Sequence, residues 1–156
     1  MAAQVVEARP DGDRVLASAH SSELKDFGWK GSCGNLPAAY LTGLLAGRRA
    51  KAGGVSEAIL DIGVHARGPG SRIFAAAKGA VKAGLTIPHD EKALPKQERL
   101  RGQHVVEYSK QLSSEPENYK RFFSRYLKHK LKPEDLAGHL DEIEAKIMAP
   151  AAEANK

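Results

Sequence analysis

The chain has a single cysteine, Cys33. It has no second thiol for an internal disulfide, and a lone thiol suits a reducing compartment. Apolar residues never run for the roughly 18 positions that a membrane-spanning helix needs, and the start carries no signal-peptide pattern. Both observations point to the cytoplasm and away from a membrane. Signatures of catalysis are missing as well. The six histidines form no H-x-x-x-H pair and have no cysteine partner at zinc-ligand spacing, so neither a metal nor a cofactor is expected. P-loop, G-x-S-x-G and G-x-G-x-x-G motifs are absent. Asp61 stands at a strand end, where catalytic carboxylates are often placed, but no second acidic partner is visible. A structural hydrogen-bonding role suits it better than acid–base work.

What is present fits one domain with an appendage. The 156 residues are 42% apolar and 28% charged, ordinary for a globular protein with a respectable core. A net charge of +5 and an isoelectric point of about 9.4 favour a polyanionic partner.

Gly53 to Leu85 organises the rest. Ala58 to Ile62 is a short apolar run between Gly53-Gly54 and Gly63, the pattern of a central strand. Gly68-Pro69-Gly70 forces a turn. Ser71 is placed to cap a helix whose apolar positions are Ile73, Phe74, Ala77 and Val81, with Gly84 as its stop. A loop bearing His65, Arg67 and Arg72 therefore lies between a strand end and a helix start, where free N–H groups and the dipole favour an anion. The same arginines are equally readable as solvated surface charges.

Before this stretch, two alternating runs flank Asp11-Gly12 and predict a β-hairpin. A two-stranded ribbon is marginal alone, so it is expected to join a larger sheet. Phe27 and Trp29 read as packing residues rather than a stacking platform for bases. Asn35 and Pro37 predict a helix start. Leu41, Leu44 and Leu45 form its stripe, and Arg48, Arg49 and Lys51 complement its C-terminal dipole. Leu85 to Ile87 makes a short edge element. The fold class expected is α/β, a mixed sheet flanked by helices, with a C-terminal helical extension.

Beyond a linker, a helix is predicted over about Gln97 to Leu112, although Gly102 weakens it. Lys96, Arg99 and Arg101 crowd its first turns, the wrong end for cations by dipole logic. From Asn118 to Lys132 there is no acidic residue. Tyr119, Phe122, Phe123, Tyr126, Leu127 and Leu131 share one helical face there, expected to pack on protein. Lys120, Arg121, Arg125, Lys128 and Lys132 fill the other, a basic amphipathic pattern suited to a polyanion. Leu136, Leu140, Ile143 and Ile147 spell a last helix. The division expected is an α/β domain over 1–112 and a helical extension over 113–156. Read from residues alone, three functions stay open: a structural RNA-binding protein, a small α/β enzyme acting on a phosphorylated substrate, and a protein-interaction module.

Three segments carry a resemblance: "LASAHSSELKDFGWKGSCGNLPAAYLTGLLAG", "AILDIGVHARGPGSRIFAAAKGAVKAGL" and "RLRGQHVVEY". They resemble the archaeal and eukaryotic branch of universal large-subunit ribosomal protein eighteen, over nearly the whole chain. The resemblance implies a non-enzymatic ribosomal constituent that binds 5S rRNA and ties it to the large-subunit rRNA at the central protuberance, beside neighbouring large-subunit ribosomal proteins. It places the loop of His65, Arg67 and Arg72 on the RNA side. The cluster Lys96, Arg99 and Arg101 and the row Lys120, Arg121, Arg125 and Lys128 are further expected contacts. Relatives of this kind carry a strongly basic segment and another strand ahead of the position of Met1, and this sequence departs from them there. The expected chemistry is phosphate contact, for which arginine's planar fork is suited.

Overall fold

The computed structural model describes residues 1–65 and 68–149. Its centre is helix α1, Leu36–Ala52. The Asn35 side chain accepts from the Ala38 N–H at 3.0 Å, and Pro37 sits in the first turn, as its sequence predicts. Every residue from Pro37 to Gly47 is buried, so this stretch of the helix is enclosed on all sides by the rest of the chain.

The hairpin β1, Ala2–Glu7, and β2, Arg14–His20, pairs antiparallel with a bulge between Val5 and Val6. Among the described residues it does not join a larger sheet. It lies on α1 instead, turning Ala17 and Ala19 inward, and that helix supplies the support a lone ribbon lacks.

Helix α2, Arg72–Lys82, packs against α1 backbone to backbone. A methyl added at Gly43 would land on the Ala76 carbonyl, and one at Gly79 on the Tyr40 carbonyl. At Gly47 it would meet the Ala80 Cα at 2.8 Å. Only glycine permits this approach.

The α/β class holds, through the hairpin, one parallel bridge from Glu57 to Thr86 and the surrounding helices. The expected central strand at Ala58 to Ile62 does not form. Only its first residue is held: the Ala58 N–H donates to the Thr86 carbonyl, while the Thr86 N–H donates to Ser56, ahead of the run. Asp61 then accepts from the Gly63 N–H at 2.8 Å, turning the chain away. Ile59 is 89% exposed, so this apolar run is not core. A local side-chain turn has displaced the strand ladder.

The single helix expected over Gln97 to Leu112 is two, α3, Gln97–Leu100, and α4, Gln103–Leu112. Gly102 separates them in a left-handed conformation, φ +77°, which breaks the helical hydrogen-bond ladder. The basic helix is likewise divided into α5, Pro116–Phe122, and α6, Ser124–Lys128, at Phe123. Helix α7, Leu136–Met148, closes the core. Leu136, Leu140, Ile143 and Ile147 bury against Leu41, Leu44 and Trp29.

Trp29 is buried, as expected of a packing residue. It stacks on His139 of α7 with ring centroids 5.2 Å apart and planes 12° apart. The Lys30 N–H donates to His139 Nε2 at 3.1 Å, and Glu142 faces Nδ1 at 3.6 Å. Burial pushes the His139 pKa down from its ordinary 6.5, against the opposing pull of Glu142; Lys30 and Lys146 push it down further. Protonation would remove the lone pair that receives Lys30. The folded pKa is depressed, so this contribution to stability is complete above pH 6.5 and is lost as pH falls through the lower folded-state value. Urea midpoints measured from neutral pH down to about pH 5 should fall for the wild type, and fall less for His139→Gln, which keeps an acceptor but cannot titrate.

Candidate nucleic-acid interface

The expected contact residues fall in three places. The first is the turn ahead of α2. His65 is exposed there, while Arg67 lies outside the described residues. Arg72 is exposed, and its Nη1 donates to the Gly34 carbonyl at 2.9 Å. That bond ties the loop before α1 to the start of α2, and among the described residues it is the only hydrogen bond the guanidinium makes. Ser71 occupies the N-cap position, but its hydroxyl makes no capping bond and is buried without a partner among the described residues. The helix start is met as predicted; its capping bond is not.

The second place is the turn around α3. Lys96 and Arg99 are exposed and have no acidic partner among the described residues. Because Gly102 ends the helix after a single turn, Arg99 sits in a four-residue helix, and its charge no longer opposes a long helix dipole. Burial and the nearby Arg99 charge push the His104 pKa down. Arg101 differs from its neighbours. Its Nη2 lies 2.8 Å and 3.0 Å from the two Asp141 oxygens, so a carboxylate on α7 balances that charge within the chain.

The fold also gathers basic side chains that no linear spacing connects. Lys78, His89 and Lys96 line a shallow depression with Glu91, Leu94 and Pro95. Lys78 Nζ donates to the Pro95 carbonyl at 2.8 Å, which holds its ammonium beside Lys96. The three come from α2 and the linker after it, so only the tertiary turn reveals them. Arg49 goes the other way. It pairs with Glu23 at 2.7 Å and donates to the Ser18 carbonyl at 2.7 Å. It joins α1 to the hairpin, so its role is architectural.

The third place is the basic row. Lys120, Arg121, Arg125 and Lys128 are all exposed. Among the described residues none has a salt-bridge or side-chain hydrogen-bond partner. The backbone beneath them is anchored by Phe123, which is buried, and by Tyr119. The Tyr119 hydroxyl donates to Glu134 at 3.0 Å and 3.1 Å. Burial, with the Glu134 carboxylate beside it, pushes the Tyr119 pKa up to about 12, so the phenol stays a donor. Asn35 Nδ2 donates to the Tyr126 hydroxyl at 3.3 Å, tying α6 to the start of α1. Four unneutralised cations are thus displayed on a fixed surface.

Asp61 is exposed and, among the described residues, bonds only within its own turn. Among the described residues no His/Cys/Asp/Glu cluster could hold a metal ion, and no helix is long and apolar enough to cross a membrane. The fold displays a row of exposed cations unpaired among the described residues, a surface suited to a polyanion.

Comparison with known proteins gives the family. The profile described as "Ribosomal large subunit proteins 60S L5, and 50S L18" matches residues 1–57 and 50–90. The large ribosomal subunit protein uL18 of Aeropyrum pernix is 54% identical over 146 residues, spanning 92% of this chain and 68% of that protein. The chain belongs to this family of large-subunit ribosomal proteins. It is a structural constituent of the ribosome and not an enzyme, which closes the phosphorylated-substrate reading left open by the residues. Ribosomal RNA and other ribosomal proteins are its partners.

Proposed function

We propose that this protein binds 5S rRNA and attaches it to the large-subunit rRNA at the central protuberance. The observation that carries the proposal is the row Lys120, Arg121, Arg125 and Lys128, exposed and without a counter-charge among the described residues. Family membership supports it. In this reading the division of labour falls at residue 112. Residues 1–112 supply the α/β part of the interface, and 113–156 supply a helical extension that adds the basic row.

His65, Arg67, Arg72, Lys96 and Arg99 contact phosphates and sugars from the α/β part. Arg101, already bonded to Asp141, orients the α3 turn and offers its remaining N–H groups. Phosphate contact gives affinity and register without reading base sequence. The protein works on the ribosome, in the cytoplasm.

Phosphate neutralisation releases counterions, so affinity falls linearly on a log–log scale with salt. A gel shift of 5S rRNA over a salt series measures the slope. Arg121→Ala should reduce that slope by about one and leave the fold intact, because Arg121 holds no partner among the described residues. A slope equal to that of the wild type would take Arg121 out of the interface.

A further inference from the structure

The sequence places Phe122 on an inward, apolar face. The structure puts it outside. Phe122 is 57% exposed and Tyr108, on α4, is 43% exposed. Their ring centroids lie 6.1 Å apart with planes 73° apart, an edge-to-face pair. Tyr108 also meets the buried Phe123 at 6.2 Å. Tyr108 therefore leans on the core, and Phe122 stands against Tyr108 with much of its ring open to solvent.

Such a ring in water is unfavourable unless something covers it. Its neighbours say what kind of cover fits. Arg121 precedes it, Arg125 follows three residues on, and Lys120 and Lys128 flank them, all without a counter-charge among the described residues. An apolar protein surface docking here would strip water from four cations and return no partner. A nucleotide offers both things at once, a flat apolar face for the ring and a phosphate for the guanidinium.

We propose that Phe122, backed edge-on by Tyr108, stacks against one unpaired base of 5S rRNA, with Arg121 and Arg125 holding the phosphates beside that nucleotide. The inference rests on the 5S rRNA reading above and adds a site to it. The base is unpaired because bases within an A-form helix are stacked on one another and have no free face for a ring. The ring recognises an open loop, bulge or end, whichever base it carries, since every base has a π-face.

The test compares the wild type, Phe122→Leu and Phe122→Trp in binding to 5S rRNA across a salt series. Phe122→Leu keeps apolar bulk and loses the ring; affinity should fall about tenfold, with the salt slope unchanged, because stacking releases no counterions. Phe122→Trp should bind at least as tightly as the wild type. Ultraviolet crosslinking of the wild-type complex should join RNA to Phe122 or Tyr108, and this readout needs no substitution. Equal affinities for the wild type and Phe122→Leu with no crosslink at either ring would overturn the stacking site, while a reduced slope for Arg121→Ala would leave the 5S rRNA reading standing. A wild type that does not bind 5S rRNA at any salt would overturn both. A ring found against another ribosomal protein in the assembled subunit would overturn the stacking site alone.

Discussion

Gly79→Ala should destabilise the protein by about 3 kcal/mol or more, at or beyond the usual upper end for overpacking. The added methyl would meet the Tyr40 carbonyl and would lie 2.7 Å from the Leu44 N. Both are backbone atoms, so no side-chain rotation can relieve the clash. Helices α1 and α2 must move apart, and α1 is enclosed by the hairpin and α7 as well, so the strain spreads through the core. Gly43→Ala should behave the same way, because its methyl would fall on the Ala76 carbonyl. Gly138→Ala is the control. It is exposed on α7 with nothing within 4 Å of the added carbon, and it should stabilise by about 0.5–1 kcal/mol through helix propensity. Urea denaturation reads all three. The midpoint should move down for the first two and up for the third, with the slope m unchanged.

The second large effect is on RNA binding. Replacing Lys120, Arg121, Arg125 and Lys128 together by alanine should weaken 5S rRNA binding by at least about a hundredfold at moderate salt, since each lost phosphate contact removes a released counterion. Their side chains hold no partner among the described residues, so the fold should survive. The effect should shrink as salt rises, because the wild type itself loses these contacts to screening. A fourfold variant that melts like the wild type and binds like it would move the interface elsewhere on the surface.

Local rules made some elements readable in the sequence. Asn35 and Pro37 announce the start of α1, and the Asn35 side chain performs the predicted cap. Asp11-Gly12 announces the hairpin, and Leu136 to Ile147 announce α7. Other features depend on partners distant in sequence. The run Ala58 to Ile62 has the composition of a buried strand, yet the Asp61 turn and a lack of flanking strands leave Ile59 in water. Gly102 reads as a weak point in one helix, while its left-handed backbone makes it a boundary between two. The glycines of α1 and α2 look unremarkable as isolated letters; only the crossing of the two helices shows why a methyl cannot enter.

The candidate interface divides along the same line. A run of cations with no acidic residue between 118 and 132 is legible as a composition. That Arg101 is balanced by Asp141, forty residues away, is a tertiary fact. So is the gathering of Lys78, His89 and Lys96 in one depression. Phe122 shows the limit most clearly. Helical spacing groups it with Phe123, but adjacent residues point about 100° apart on a helix, and the core takes Phe123 and leaves Phe122 outside.

The most direct test is a structure of this chain bound to 5S rRNA within the large subunit. Arg121 and Arg125 should then lie about 2.7–2.9 Å from phosphate oxygens, with Lys120 and Lys128 against the same backbone. Those four side chains facing solvent or polypeptide, with no RNA beside them, would contradict the account.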